Sequence, residues 1–332
     1  FLIMIEELLF QVFYFFREGQ TEIVEYFFFL QLINLLAVIL SFVLIKKRYS
    51  YDFMLLIRSF KFSKNMYDKM RNLAFTSLFS TACWILFYML DTIIIGKFFS
   101  LNDVAIYSIS LYFLTTVNGI VNIIYMPFLF RFNHVKNDIS RLQDIFYRLI
   151  SLSIPLIVIS AFSVIFLMKP IILGLVGDNY HASIIVAQVF MTYFIWASIN
   201  TPLVHLAMSK VKVRLLLISS AILPLVFYLV IVVSQNQIGI LSFAVGKSIA
   251  MFSSLVFFII YSPRLLSKSI IGFLVMMLPR ITISVIILYL LTHFVDSRLI
   301  GPPEKNTLFF VKVSALCLIS SMSVILMFLL TS

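Results

Sequence analysis

The feature that most constrains this chain is a series of long apolar segments. A helix needs about 20 mostly apolar residues to cross the hydrocarbon core of a bilayer. The segments of that length cover residues 26–45, 73–95, 104–130, 149–174, 184–208, 214–234, 238–262, 270–293 and 307–331. With 62% hydrophobic and only 12% charged residues, the composition agrees with them. We therefore predict an all-α integral membrane protein with about nine transmembrane helices.

The positive residues between the spans predict its orientation. Of the 25 Lys and Arg, 17 lie in the loops after the first, third, fifth and seventh predicted spans, and five lie on the opposite side. Loops rich in Lys and Arg stay in the cytoplasm. We therefore predict a multi-pass membrane protein with a cytoplasmic C-terminus.

Several other classes of function lack sequence support. The net charge of +11 is concentrated in short loops, which favours anionic lipid headgroups over nucleic acid as the partner. Cys83, Cys317 and the four histidines have no metal-ligand or disulfide spacing. No glycine-rich phosphate loop or catalytic triad is present. We expect no cofactor, no metal and no enzymatic activity.

Apart from Lys169 and Arg214, which are counted with the adjoining loops, four charged residues fall within predicted spans: Asp91, Lys247, Arg280 and Lys312. A charge at the bilayer centre costs about 2.5–3.5 kcal/mol on insertion scales, so such residues usually face a bundle interior or a watery cavity. We predict that Lys247, Arg280 and Asp91 bind an anionic substrate. The alternatives for Lys247 and Asp91 are an ion pair of Lys247 with a buried acid, pairing of Asp91 with a cavity cation or with the nearby Lys97, and proton binding by Asp91. For Arg280 the alternative is bonding to carbonyls that Pro279 frees, and for Lys312 it is snorkelling to the interface.

Two groups of uncharged residues are further candidates. Asn118 and Asn122, with Thr115 and Tyr125, recur on one face of the predicted span 104–130 and can line a sugar path or hold helices together.

Asn200 and Pro202 lie within the span 184–208. A proline bends a helix there, which suits a gate, although Thr201 can repair a static kink. His205 is more typical of a packed polar residue than of a proton site.

The loop 46–72 has its own pattern. Phe53, Leu56, Ile57 and Phe60 alternate with cations at helical spacing, which is typical of an interfacial helix on the cytoplasmic leaflet. It is either a linker between helical bundles or an ordinary basic loop with hydrophobic anchors.

Three segments resemble the lipid-linked oligosaccharide flippases, the Wzx-type polysaccharide exporters of the multidrug, oligosaccharidyl-lipid and polysaccharide exporter superfamily. The segments are 74–114, 173–190 and 237–252. The matching residues are Asp91, Gly96, Val104 and Tyr107 in the first, Gly177, Tyr180 and Ala182 in the second, and Gly239 and Gly246 in the third. The third match departs from the family pattern, since Ile240, Leu241 and Ser242 replace its small residues.

The resemblance implies two six-helix bundles related as internal repeats. Residues 1–45 would be a remnant of a first bundle, 46–72 the linker, 73–262 a complete six-helix bundle, and 263–332 two additional helices. The implied function is export of a polyprenyl-diphosphate-linked oligosaccharide by alternating access about a cationic cavity. The implied partners are membrane lipids, that substrate and a first bundle absent from this chain.

Other functions stay open. A drug or cation antiporter of the same superfamily would favour intramembrane carboxylates, and this chain has more intramembrane cations. A membrane-embedded polymerase or ligase needs a large external loop, whereas the external loops here are about 10–15 residues long. A non-transporting fragment is the third alternative.

Overall fold

A computed structural model describes residues 23–49, 64–267 and 269–299, and all regular structure in those ranges is helical. The helices are α1 (Ile23–Tyr49), α2 (Lys64–Tyr88), α3 (Leu90–Phe98), α4 (Leu101–Val135), α5 (Ile139–Val176), α6 (Ala182–Ser209), α7 (Val213–Ile238), α8 (Leu241–Leu266) and α9 (Ile271–Leu299). A short 3₁₀ turn, Asp178–Tyr180, links α5 to α6. The chain divides into two units, Phe1–Asp68 and Lys69–Ser332.

Seven segments of the described residues are long and apolar enough to cross a membrane. They run over Ala74–Phe98, Leu101–Val135, Ile139–Val176, Ala182–Ser209, Val213–Ile238, Leu241–Leu266 and Ile271–Leu290. They coincide with the second to eighth predicted spans. The first predicted span, 26–45, is helical within α1. The ninth, 307–331, lies outside the described residues, so the count of nine stays a prediction.

The helices α4 and α5 are longer than the spans predicted from hydropathy. The helix α5 has 38 residues and begins ten residues before the predicted start at 149. The Asp138 side chain caps it by accepting a hydrogen bond from the Arg141 backbone N–H at 3.1 Å. Hydrogen bonds from Ser140 and then the Arg141 backbone lower the pKa of Asp138. Hydropathy ends a span where charges begin, but the capped helix continues into the polar region.

The second unit is built around α6, which packs against α4, α5, α7 and α8. Hydrogen bonds between buried side chains join these helices: the Tyr125 hydroxyl donates to the Ser198 carbonyl at 2.6 Å and lies 2.9 Å from Ser153 Oγ, whose hydrogen it can accept. The Thr192 and Ser248 hydroxyls lie 2.8 Å apart. In a membrane such packing and hydrogen bonds replace the hydrophobic driving force between helices.

Two glycines of the resembling motifs have specific structural roles. Gly177 ends α5 with a φ of 87°, a conformation that favours glycine. Gly246 lets α8 approach α7 closely, because a Cβ there would lie 3.1 Å from Phe227 Cδ2 and 3.3 Å from the Phe227 carbonyl oxygen.

The turn between α6 and α7 lies beside the end of α8. The Lys210 ammonium donates to the Leu265 carbonyl at 2.5 Å, and Gln143 donates to the Leu266 carbonyl. These bonds satisfy carbonyls that the end of a helix leaves without partners. Partial burial and the neighbouring Lys212 charge lower the pKa of Lys210.

Candidate functional site

The first span of the second unit is interrupted at one residue, and we name it the broken span. The helix α2 ends at Tyr88 and α3 begins at Leu90, while Met89 between them keeps helical dihedral angles and donates to the Ile85 carbonyl at 2.9 Å. An irregular point in a span can leave carbonyls for charged side chains. Two of the predicted site residues meet at this break.

Asp91 and Lys247 form an ion pair at the break. Lys247 Nζ lies 2.8 Å from Asp91 Oδ2, and both side chains are fully buried, at 0% exposure. Asp91 lies in the first turn of α3, where the helix dipole favours a negative charge. Asp91 therefore pairs with Lys247 rather than with Lys97, whose side chain lies over the Phe98 ring with Nζ 5.7 Å from its centroid.

Further hydrogen bonds satisfy both charges. The Tyr107 hydroxyl donates to Asp91 Oδ2, and the Thr92 backbone N–H donates to Oδ1 at 2.9 Å. Lys247 also donates to the Phe87 carbonyl, one turn before Asp91. Buried charges persist only when they are paired and hydrogen-bonded in this way.

Three aromatic rings enclose the ammonium group. Lys247 Nζ lies 4.8 Å from the ring centroid of Phe87, and 5.0 Å from those of Tyr88 and Phe227. A cation within about 6 Å of a ring face gains about 0.5–2 kcal/mol, more when water is excluded. Since the rings and the pair exclude solvent, Lys247 is not accessible to a ligand in this conformation.

A cavity of about 690 Å³ lies between α2, α6, α7 and α8. Its lining residues are serines, threonines and one asparagine together with Trp84 and apolar side chains. Asn200, which is 4% exposed, is the one predicted gating residue in this wall. The polar lining residues are Thr76, Ser77, Ser80, Thr81, Asn200, Ser219, Ser220 and Ser254.

The polar residues predicted to share one face of α4 have different surroundings. Asn118 is half-buried, Asn122 is exposed, and neither lines the cavity. Thr115 donates to the Tyr112 carbonyl of its own helix at 3.0 Å, while Tyr125 is buried against α5 and α6. The four side chains therefore do not form one lining face.

Pro202 is buried inside α6, which stays helical on both sides of it. His205, one turn from Thr201, has a buried Nδ1 without a hydrogen-bond partner among the described residues. Arg280 lies within α9, and its side chain is outside the part of the chain that the structure describes. Lys312 and the apolar residues of the loop 46–72 from Phe53 to Phe60 also fall outside it.

The hydroxyl groups of α2 are the cavity residues that the sequence reasoning missed. Thr76, Ser77, Ser80 and Thr81 recur at spacings of one turn. That spacing places them on one face of a helix, so the signal was present in the sequence. Among the described residues, no cluster of His, Cys, Asp and Glu could hold a metal.

This fold and its buried charge pair define a multi-pass α-helical membrane protein. Residues 27–185 match a family model described as "Polysaccharide biosynthesis protein". Among solved structures, the chain is similar to the lipid II flippase MurJ in its inward closed conformation, at a TM-score of 0.57 and 13% sequence identity. That match covers 95% of this chain and 62% of the flippase chain, so this chain spans less than two thirds of its neighbour. No curated protein sequence matches the chain.

At this identity the structural likeness shows the fold alone. Together with the family match, it supports the resemblance to the flippase family in the first segment, 74–114, and in most of the second, whereas the third, 237–252, lies outside the residues that the family model matches.

Proposed function

We propose that this chain supplies the complete helical bundle of a flippase for a polyprenyl-diphosphate-linked oligosaccharide. The flippase would act in a bacterial cytoplasmic membrane and move its substrate from the cytoplasmic to the outer leaflet. The C-terminus would lie in the cytoplasm. Residues 73–262 would form the bundle, 46–72 the linker, and 1–45 part of a first bundle. The two additional helices would occupy 263–332.

The observation that carries this proposal is the buried Asp91–Lys247 pair at the broken span. Ionisable residues inside membrane helices are costly and mark transport pathways. Discontinuous helices form substrate and ion sites in transporters. The flippase-type fold and the family match support the same function.

In this proposal the pair opens during alternating access. Lys247 would then exchange Asp91 for the substrate diphosphate, and Arg280 would contribute a second positive charge. Asn118 and Asn122 would contact the sugars along α4, and Asn200 with Pro202 would form a bend that gates the path. Binding of a diphosphate by Arg suits its planar, bidentate geometry.

The test is rescue of surface polysaccharide in strains that lack their own flippase and make different repeat units. The chain is expressed alone and together with a first helical bundle. We expect rescue, and its loss in Lys247→Ala and Arg280→Ala at equal membrane levels. Lys169→Ala removes an exposed cation and is the matched control. Full export by Lys247→Ala, or no rescue by well-inserted protein in any strain, would contradict the proposal.

A further inference from the structure

We infer that the cavity between α2, α6, α7 and α8 binds the uncharged sugar part of the substrate, and that the diphosphate binds elsewhere. This inference rests on the proposed function and assigns a ligand class to a site within one bundle. The cavity volume of about 690 Å³ falls within the range of small-molecule sites, about 300–1,000 Å³.

The charge of the wall is the first argument. Among the described residues, no Asp, Glu, Lys, Arg or His lines this cavity. An ion that enters it would lose its hydration without gaining a partner of opposite charge, and that loss is costly. The cavity therefore excludes the diphosphate and differs from the cationic cavity that the sequence predicted.

The second argument is the hydrogen-bonding capacity of the wall. Ser80 Oγ and Ser220 Oγ lie 3.0 Å apart and bridge α2 and α7. A hydroxyl has one donor hydrogen and two acceptor lone pairs, so one shared bond leaves most of that capacity for a ligand. Sugar hydroxyls have the same mixed donor and acceptor character.

Asn200 provides the third argument. Its Nδ2 donates to Met251 Sδ at 3.2 Å, and its Oδ1 accepts from Ser254 Oγ at 3.4 Å. A thioether is a weak acceptor, and an amide has two donor hydrogens and two lone pairs. This nearly buried amide thus keeps a donor and an acceptor for a polar ligand.

The apolar wall suits the rest of a sugar. Trp84 is 47% exposed and lines the cavity together with Val204, Met208 and Leu223. A sugar ring presents C–H groups on its faces and hydroxyls at its edge. It can therefore contact the indole with a face while its edge bonds the hydroxyl groups of the wall.

Trp84 also provides the readout, because the chain has only two tryptophans. The other, Trp196, packs against Phe252 and does not line the cavity. In a Trp196→Phe background, indole fluorescence reports from the cavity wall alone. The protein is placed in lipid nanodiscs and titrated with octyl glucoside or octyl phosphate below micelle-forming concentrations. These probes share a tail and differ in the charge of the head.

We expect a saturable fluorescence change with octyl glucoside, at an affinity at least about ten-fold tighter than for octyl phosphate. Ser220→Ala and Asn200→Leu should each weaken it by about 2-fold to 12-fold, the range for one hydrogen bond. Ser234→Ala is the matched control, since Ser234 lies in the same helix as Ser220 but bonds its own Val230 carbonyl.

Equal or tighter binding of octyl phosphate would overturn the inference. So would unchanged octyl glucoside binding in both cavity variants with unchanged helix content. The two proposals fail separately. Export that persists without selective glucoside binding removes the cavity assignment only, whereas selective binding without export in any strain removes the flippase assignment only.

Discussion

The central helix α6 and the broken span α2–α3 are held in the bundle by different means. The most apolar window of α6 is 56% buried, whereas that of the α2–α3 span is 22% buried. The helix α6 packs against four neighbours along its length. The broken span buries fewer apolar residues, Phe87 and Ile95 among them, and adds three directional contacts: the Asp91–Lys247 pair, the Ser80–Ser220 bridge and a hydrogen bond from Tyr228 to the Leu86 carbonyl.

This difference has a mechanical meaning. Close packing resists movement because interiors fit together at crystal-like density, and any shift opens voids. A few polar contacts release a helix once they are broken, and new partners can replace the lost ones. We therefore expect α6 to be the fixed part of the bundle and the α2–α3 span to be a part that can change its contacts.

The largest effect should follow from breaking the ion pair. Lys247→Met leaves the buried Asp91 carboxylate without its counter-ion, and Asp91→Asn leaves the buried Lys247 ammonium without its own. We expect each variant to lose about 3–5 kcal/mol of unfolding free energy. Unfolding in detergent followed by circular dichroism measures the loss. Lys97→Met removes an exposed cation from the same span and should stay within about 0.5 kcal/mol.

The double variant Asp91→Asn with Lys247→Met sharpens this prediction. Since both charges leave together, its cost should fall well below the sum of the two single losses. A cost equal to that sum would show that the two residues act independently.

A smaller effect is expected at the close approach of α7 and α8. The added methyl group of Gly246→Ala would press against Phe227, including its backbone, so we expect a loss of about 1–3 kcal/mol. Gly119→Ala is the control, because a Cβ at Gly119 meets no atom within 4 Å. Equal stability of the two variants in thermal unfolding would show that packing at Gly246 is loose.

The smallest effect should come from one polar contact of the broken span. Tyr228→Phe removes the bond to the Leu86 carbonyl, which is 2.7 Å long, and should cost about 0.5–1.5 kcal/mol. Hydrogen exchange should rise in α2 and stay unchanged in α6, since opening is local. Tyr112→Phe changes an exposed tyrosine and is the control. Faster exchange in α6 would contradict the proposed division of the bundle.

The sequence was sufficient for the spans that the structure describes, because crossing a membrane depends on local hydropathy over about 20 residues. It was insufficient for the start of α5, where a capped helix continues through charged turns. Asp91 and Lys247 could each be singled out by the cost of burying a charge. Their pairing could not be predicted, because it depends on how α3 and α8 pack together.

The cavity was missed for a related reason. Serine and threonine are common between membrane helices as hydrogen-bonding contacts. Four hydroxyl residues on one face of α2 gave no sign of whether another helix or an open space faces them. The answer depends on where α7 lies relative to that face. It touches α2 through the Ser80–Ser220 hydrogen bond and leaves the cavity beside it.

The ion pair also has a consequence for how the protein is made. Asp91 and Lys247 are 156 residues apart (247 minus 91), so the carboxylate is synthesised well before its counter-ion. At roughly 5–20 residues per second, the delay is about 8–30 s. During that interval its native hydrogen bonds can come from the Thr92 backbone N–H and from the Tyr107 hydroxyl, 16 residues after Asp91. The α2–α3 span must therefore wait beside the insertion machinery, neutral or hydrated, until α8 arrives to complete it.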